Sequence, residues 1–275
     1  MYIQQLKIAG KQPTMTFKVP STNILYSNTP PEYRRIIRDM LAGIVDLHQM
    51  DHKCVHSLHM KNFVMHKGTV KMYNMTFLPE TETGRTNDFR KLAEIIENNI
   101  CDGLWPAILT RFLRKIVQLI SLLQEGTLVK HLAIVECSDR LSFFRNGHAL
   151  DPQKESLYDT IIDTMVGCHE WAQKYRKYSS REKSERRYDI FTQLFNYENR
   201  AQTYVDRAAY IGLKNESFIR WIRNLATHLR EVINHSTGKW TADDMVKLSI
   251  LALHEEQLLR FHDELDQAML IPNFM

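Results

Sequence analysis

Apolar residues recur at helical spacing along most of the chain. After Pro30-Pro31-Glu32, the residues Ile36, Ile37, Met40, Leu41, Ile44, Val45 and Leu47 fall on one face, so a helix is expected to start at the prolines and bury that stripe. The period then changes. An apolar run over 55–65, the turn signal His66-Lys67-Gly68 and a second run over 69–73 predict a β-hairpin. Residues 78–87 (LPETETGRTN) read as a loop, followed by helices over 88–98 and 105–124, with Gly126 placed to end the second. Helical periodicity resumes at Ser138, over 139–144, 154–175, 188–209, 216–233 and 241–269. The last of these has Thr241 as its N-cap and Asp243 and Asp244 in its first turn. Residues 1–30, broken by Pro13, Pro20 and Pro30, read as irregular apart from a short strand over 15–19. The expected fold is therefore mainly α with a small β-hairpin. A shift in composition near 131–150 marks the boundary, giving 1–30, 31–137 and 138–275 as the parts of the chain.

Composition adds less than pattern. At 275 residues, 44% hydrophobic and 25% charged, the chain has the profile of a globular protein large enough for real cores. A net charge of +4 selects no partner, but one segment stands out. Lys174, Arg176, Lys177, Arg181, Lys183, Arg186 and Arg187 face only Glu182 and Glu185, a net +5 in fourteen residues. Tyr175, Tyr178 and Tyr188 interleave with it, a composition that attracts polyanions and offers rings for stacking, and also that of a solvated helix face. Cys54, Cys101, Cys137 and Cys168 are widely spaced without a CxxC pair, and no signal peptide opens the sequence, so reduced thiols in a cytoplasmic protein are expected. The twelve histidines show no metal-ligand spacing, and no apolar run is long enough to span a bilayer, so neither a metal nor a membrane is expected.

The helix over 216–233 carries the most chemistry. Phe218, Ile222, Leu225, Leu229 and Val232 form its apolar stripe. Arg220, Asn224 and His228 follow at four-residue steps on another side, Arg223 stands on a third flank, and Tyr210 precedes the helix. A phenol, a guanidinium, a carboxamide and an imidazole gathered there are groups that can act on a phosphodiester. An amphipathic surface helix that happens to carry a histidine has the same pattern.

The order of motifs in the first half resembles the catalytic-loop region of protein kinases. A long helix ends in Asp46-Leu47-His48; His56–Asn62 (HSLHMKN) follows, then a hairpin, then Val70-Lys71-Met72. His56 and Asn62 fit the family's histidine and asparagine, whereas Ser57 stands at the catalytic aspartate and His59 at the lysine. Asn74-Met75-Thr76 occupies the position of DFG, and Asp88 fits the buried aspartate of the next helix. No GxGxxG and no VAIK precede the helix. The resemblance implies a kinase C-lobe-like domain without its nucleotide lobe, a pseudokinase binding no ATP.

The second half resembles the kinase-extension nuclease family, which includes the unfolded-protein-response sensor kinase/endoribonuclease and RNase L. Asp139-Arg140-Leu141-Ser142-Phe143-Phe144-Arg145-Asn146 is similar to the family's helix at the junction, though Leu132-Ala133 departs from the family's segment before it. Tyr210, then Arg223-Asn224 thirteen residues on, then His228, match the family's ribonuclease residues without a gap. The resemblance implies an all-α ribonuclease domain that cleaves RNA to a 2′,3′-cyclic phosphate and a 5′-hydroxyl, with no cofactor. In that chemistry His228 suits the general acid, and Tyr210 the base once Arg223 lowers its pKa. Arg223 braces the phosphate and Asn224 orients the nucleotide, while Lys174, Arg176, Lys177, Arg186 and Arg187 are candidates for the RNA backbone. Single-stranded or looped RNA is the expected substrate and a homodimer the expected assembly. Two other readings stay open: a non-catalytic module that regulates a partner by hetero-dimerisation, and RNA binding without cleavage.

Overall fold

In the computed structural model of the chain, the described residues are 14–18, 25–101, 106–118, 122–136, 140, 143, 160 and 243–267. Helix predominates among them, with three small two-stranded sheets. The chain divides into two compact units, Met1–Phe17 with Ser27–Glu136, and Lys18–Tyr26 with Cys137–Met275.

The first unit is organised on helix α1 (Pro31–Gln49). Pro31 occupies its first turn, where a missing N–H costs nothing, and Glu32 lies at the positive end of the helix dipole. All seven apolar residues of the sequence stripe are buried. So is Arg34, which donates to Thr29 O at 3.0 Å and to Glu136 Oε2 at 2.6 Å, and thereby ties the start of α1 to the end of the unit.

Strands β1 (Met15–Lys18) and β2 (Leu25–Asn28) pair ahead of α1. β1 was anticipated; β2 lies where the sequence reads as irregular. β3 (Lys53–Val55) pairs antiparallel with β6 (Phe77–Pro79), placing Cys54 opposite Leu78. Between them, a 3-10 turn (Met60–Asn62) leads into the hairpin of β4 (Phe63–His66) and β5 (Thr69–Met72). The expected hairpin is thus present, but the run over 55–65 contributes to two sheets rather than to one strand. Its turn has φ of 49° at Lys67 and 80° at Gly68, the left-handed pair that lets a two-residue turn match strand twist. Val70 N donates to Asp39 Oδ2 at 3.0 Å, pinning the hairpin to α1.

Helix α2 (Glu82–Ile95) starts six residues before the expected position. The first two turns, ETGRTN, are polar and carry no apolar stripe, so periodicity cannot register them. The start is set by Thr81, whose Oγ1 accepts the Gly84 N–H at 3.0 Å. Gly84 is needed for a second reason, because a Cβ there would stand 2.7 Å from Cys54 Sγ. One wider π turn (Ile96–Cys101) follows. The single helix expected over 105–124 is instead α3 (Ala107–Gln118) and a separate α4 (Leu122–Leu128). Gly126 lies within α4 rather than ending a helix. α3 buries Ile108, Leu109, Phe112, Leu113 and Ile116, and the Phe112 ring meets His131 at 4.9 Å between centroids.

The second unit is described in fewer residues. Helix α5 (Asp243–Gln267) falls within the expected 241–269, and its last turns bury Leu258, Leu259, Phe261 and Leu265. Phe143 packs edge-on against Phe261 at 6.0 Å. Tyr26 donates to Glu255 Oε1 at 3.0 Å. Burial raises the Glu255 carboxyl pKa, against the opposing effects of the Tyr26 bond and the Arg140 charge. Of the helix expected over 154–175 only Thr160 is described, in helical conformation, and those expected over 188–209 and 216–233 lie outside the described residues. Among the described residues no helix is long and apolar enough to cross a membrane.

Replacing Lys67 by Asn, which tolerates positive φ, is expected to raise the urea midpoint by an amount equivalent to about 0.5 kcal/mol, and Gly68→Ala to lower stability by about 1 kcal/mol. No atom lies within 4 Å of a Cβ at Gly68, so that loss would report backbone strain alone.

Candidate functional site

The stretch from Cys54 to Met60 edges a cleft of about 430 Å3 whose other walls include Leu78, Thr81, Asn87 and Lys91. Asn62, at the position where the resemblance implies a metal-binding amide, is buried and fully engaged by backbone. Its Oδ1 accepts the His59 N–H at 2.9 Å, and its Nδ2 donates to Tyr73 O at 3.3 Å and to Asn74 O at 3.0 Å. Tyr73 N in turn donates to Asn62 O at 2.8 Å. The carboxamide therefore acts as a peg between the 3-10 turn and the end of the hairpin. Asn74, at the DFG position, has φ of 52°, a left-handed conformation that Asn tolerates better than most residues.

Ser57, at the position of the kinase base, is exposed, and its Oγ lies 2.7 Å from His59 Nε2. The Ser57–His59 bond runs in the direction set by the imidazole tautomer, and the turn beneath it is closed by the Asn62 N–H, which donates to His59 O at 2.9 Å.

Beneath this stretch lies a buried ionic network. His48, at the last turn of α1, is fully buried and bonds Asp88 Oδ2 through Nε2 and Glu125 Oε2 through Nδ1, each at 3.0 Å. Asp88 Oδ2 also accepts the Val55 N–H at 2.9 Å, next to His56. Glu125 Oε1 lies 3.4 Å from Arg85 Nε; Arg85 pairs with Glu80, and Glu80 Oε2 reaches His52 Nδ1 at 3.2 Å. Burial alone would lower the His48 pKa, but the bonds to Asp88 and Glu125, with their charges, outweigh it and raise it from 6.5 to about 9. His48 is thus an imidazolium at neutral pH, with both nitrogens donating. Cys54 borders the same cluster, and burial pushes its thiol up. His48, Cys54 and Asp88 lie close enough to share a cation. A protonated ring has no lone pair to give one, so the trio works as an ion pair beside a neutral thiol.

Of the residues singled out from the sequence, His56, Ser57, His59, Asn62, Asn74 and Asp88 are described and fall in this region. Tyr210, Arg223, Asn224 and His228, with Lys174, Arg176, Lys177, Arg186 and Arg187, lie outside the described residues. Glu125 was not singled out, although a histidine on the buried stripe of α1 signals that buried acceptors must face it. No family model, curated protein or solved structure matches the chain.

One measurement checks the buried network. The His48 pKa lies higher in the folded than in the unfolded chain. Its contribution, on the order of 3 kcal/mol for a rise from 6.5 to about 9, is therefore whole below pH 6.5, falls between pH 6.5 and 9, and is lost above. In urea titrations at pH 6, 7.5 and 9.5, the stability gap between the native chain and His48→Gln is expected to narrow across that window.

Proposed function

We propose that the chain is a metal-independent endoribonuclease whose kinase-like half is a catalytically silent scaffold. The observation that carries the reading is the gapless spacing of Tyr210, Arg223-Asn224 and His228, downstream of a segment with the motif order of a kinase C-lobe. Three features of the first unit support its half of the resemblance: the order helix, hairpin, helix; the burial of Asp88; and its bond to the backbone beside His56. The silence of that half follows from chemistry. Ser57 replaces the base, Asn74 replaces the metal-binding carboxylate, and the amide of Asn62 is consumed by backbone. Phosphoryl transfer needs a positioned base and metal-held phosphates, and neither can be assembled from these groups.

In the ribonuclease reaction, Tyr210 takes the 2′-hydroxyl proton, the oxygen attacks the adjacent phosphorus, and His228 protonates the departing 5′-oxygen. Arg223 meets the charge that builds on the phosphate, and Asn224 holds the nucleotide. No cofactor enters this scheme. A homodimer completes it in this reading.

A second reading is a non-catalytic module that engages a partner protein through the kinase-like half. The observation in its favour is the exposure of Met50, Tyr73, Phe77 and Leu78 on that half.

The deciding experiment is cleavage of a fluorescent stem-loop RNA in EDTA. The native chain is expected to cut it, His228→Ala and Tyr210→Phe to lose at least about 100-fold in rate, and Ser57→Ala to lose nothing. Absence of cleavage by a folded native dimer would transfer the assignment to the second reading.

A further inference from the structure

The cleft of about 430 Å3 has two main walls: the loop that follows β3, and one side of α2 continuing into the π turn. Its volume lies in the range of cavities that hold a small organic molecule. The floor is apolar and closed, with Val55, Leu58 and Ile95 only 7%, 3% and 6% exposed.

The charges along the α2 wall are already matched. Lys91 Nζ is held by Glu94 Oε2 at 2.7 Å, and Asp88 is held by His48. What this wall offers is carboxamide. Asn87 commits its Oδ1 to Arg90 Nη1 at 3.1 Å. Asn98 and Asn99 are consecutive in the π turn, both line the cleft, and among the described residues neither carboxamide is engaged in a hydrogen bond. Asn99 is half-buried, so its amide has given up part of its hydration with no protein partner in return. π turns are rare within helices and recur at functional sites. On the opposite wall, His56 and His59 are exposed at the mouth. Ser57 engages the His59 ring at its edge, which leaves the ring faces for stacking.

These features select a ligand. An anion finds Lys91 already paired. A purely apolar molecule would leave the Asn99 amide unfilled. A carboxamide pairs with an edge that carries a donor beside an acceptor, and a flat ring suits a closed apolar floor and stacks on imidazole. Adenine combines these properties: its N6 amino group stands between two acceptors, N1 and N7, so it presents two such edges where cytosine presents one. We propose that this cleft binds an adenine base, with Asn98 and Asn99 reading its amino group and ring nitrogens, and its faces lying on the Leu58–Ile95 floor and against the imidazoles of His56 and His59. No group that would hold a phosphate belongs to this site, and the proposal stands whether or not the chain cleaves RNA.

The test is equilibrium dialysis of the full chain against labelled adenosine, with unlabelled inosine and methyl glucoside as competitors. Adenosine is expected to bind below about 1 mM. Inosine, in which an oxo group replaces the amino group, and the glycoside are expected to displace it at least about tenfold less well than unlabelled adenosine. Asn98→Asp/Asn99→Asp keeps the side-chain shape and turns each donor into an acceptor, and is expected to weaken adenosine at least about tenfold. Asn98→Asp alone, at an exposed position, is expected to weaken it about threefold, so the test does not depend on the fold of the double variant. Glu97→Gln, beside these residues but outside the cleft, is expected to change nothing. The proposal is overturned if adenosine does not bind below about 1 mM, if inosine or the glycoside competes equally, or if the asparagine variants bind as well as the native chain. A tetranucleotide of adenines that binds more tightly than adenosine would make a single strand the source of the base, and one that binds no more tightly would make it the free nucleoside; each result supports the site.

Discussion

The first unit depends on one charged hydrogen-bonded bridge, His48 held between Asp88 and Glu125. Each partner comes from a different helix, α1, α2 and α4, so a single imidazolium fixes three elements at once. None of the three groups is stable where it lies without the others, because a buried charge left unpaired costs several kcal/mol. Arg85 compensates the second carboxylate, and Glu80 and His52 carry the chain of charges out to solvent. Well-packed apolar residues would hold three helices with less risk. The polar solution adds direction: Asp88 reaches Val55 N and so sets the backbone that leads into His56–Asn62.

Along that backbone the polar side chains serve structure. Asn62 stitches the 3-10 turn to the hairpin, Asn74 supplies a left-handed bend, and the Asn62 N–H closes the turn on His59 O. The region is ordered by hydrogen bonds between its own polar side chains and the backbone. Such a scaffold suits a supporting role, with the proposed RNA chemistry assigned to the second unit.

Much of the first unit was legible in the sequence, for physical reasons that also explain the misses. α1 is legible because its stripe of seven apolar residues is wide and its start is marked by proline. The hairpin is legible because Lys67-Gly68 sits between apolar runs and Gly tolerates the positive φ that the turn requires. The start of α2 is hidden, since its first two turns face solvent and only Thr81 marks them. Gly126 misleads because a glycine inside a short helix looks, in sequence, like a terminator. β2 and β6, of four and three residues, are too short to show alternation above the surrounding loops. The His48 bridge was half legible. Asp88 stands out by motif, but its link to Glu125 spans parts of the chain whose proximity only the fold creates.

Cys54 gives this architecture a built-in probe. Its sulfur is closed in by Gly84 on the first turn of α2, it is buried, and its thiol is held protonated beside the Asp88 carboxylate. The sulfur borders the cleft beside His56 but is 2% exposed, so a thiol reagent gains it fully when α2 lifts from β3, a motion that also parts the backbone beside His56 from Asp88. The rate at which that one sulfur becomes reactive is therefore a clock for how often the interior of the first unit opens.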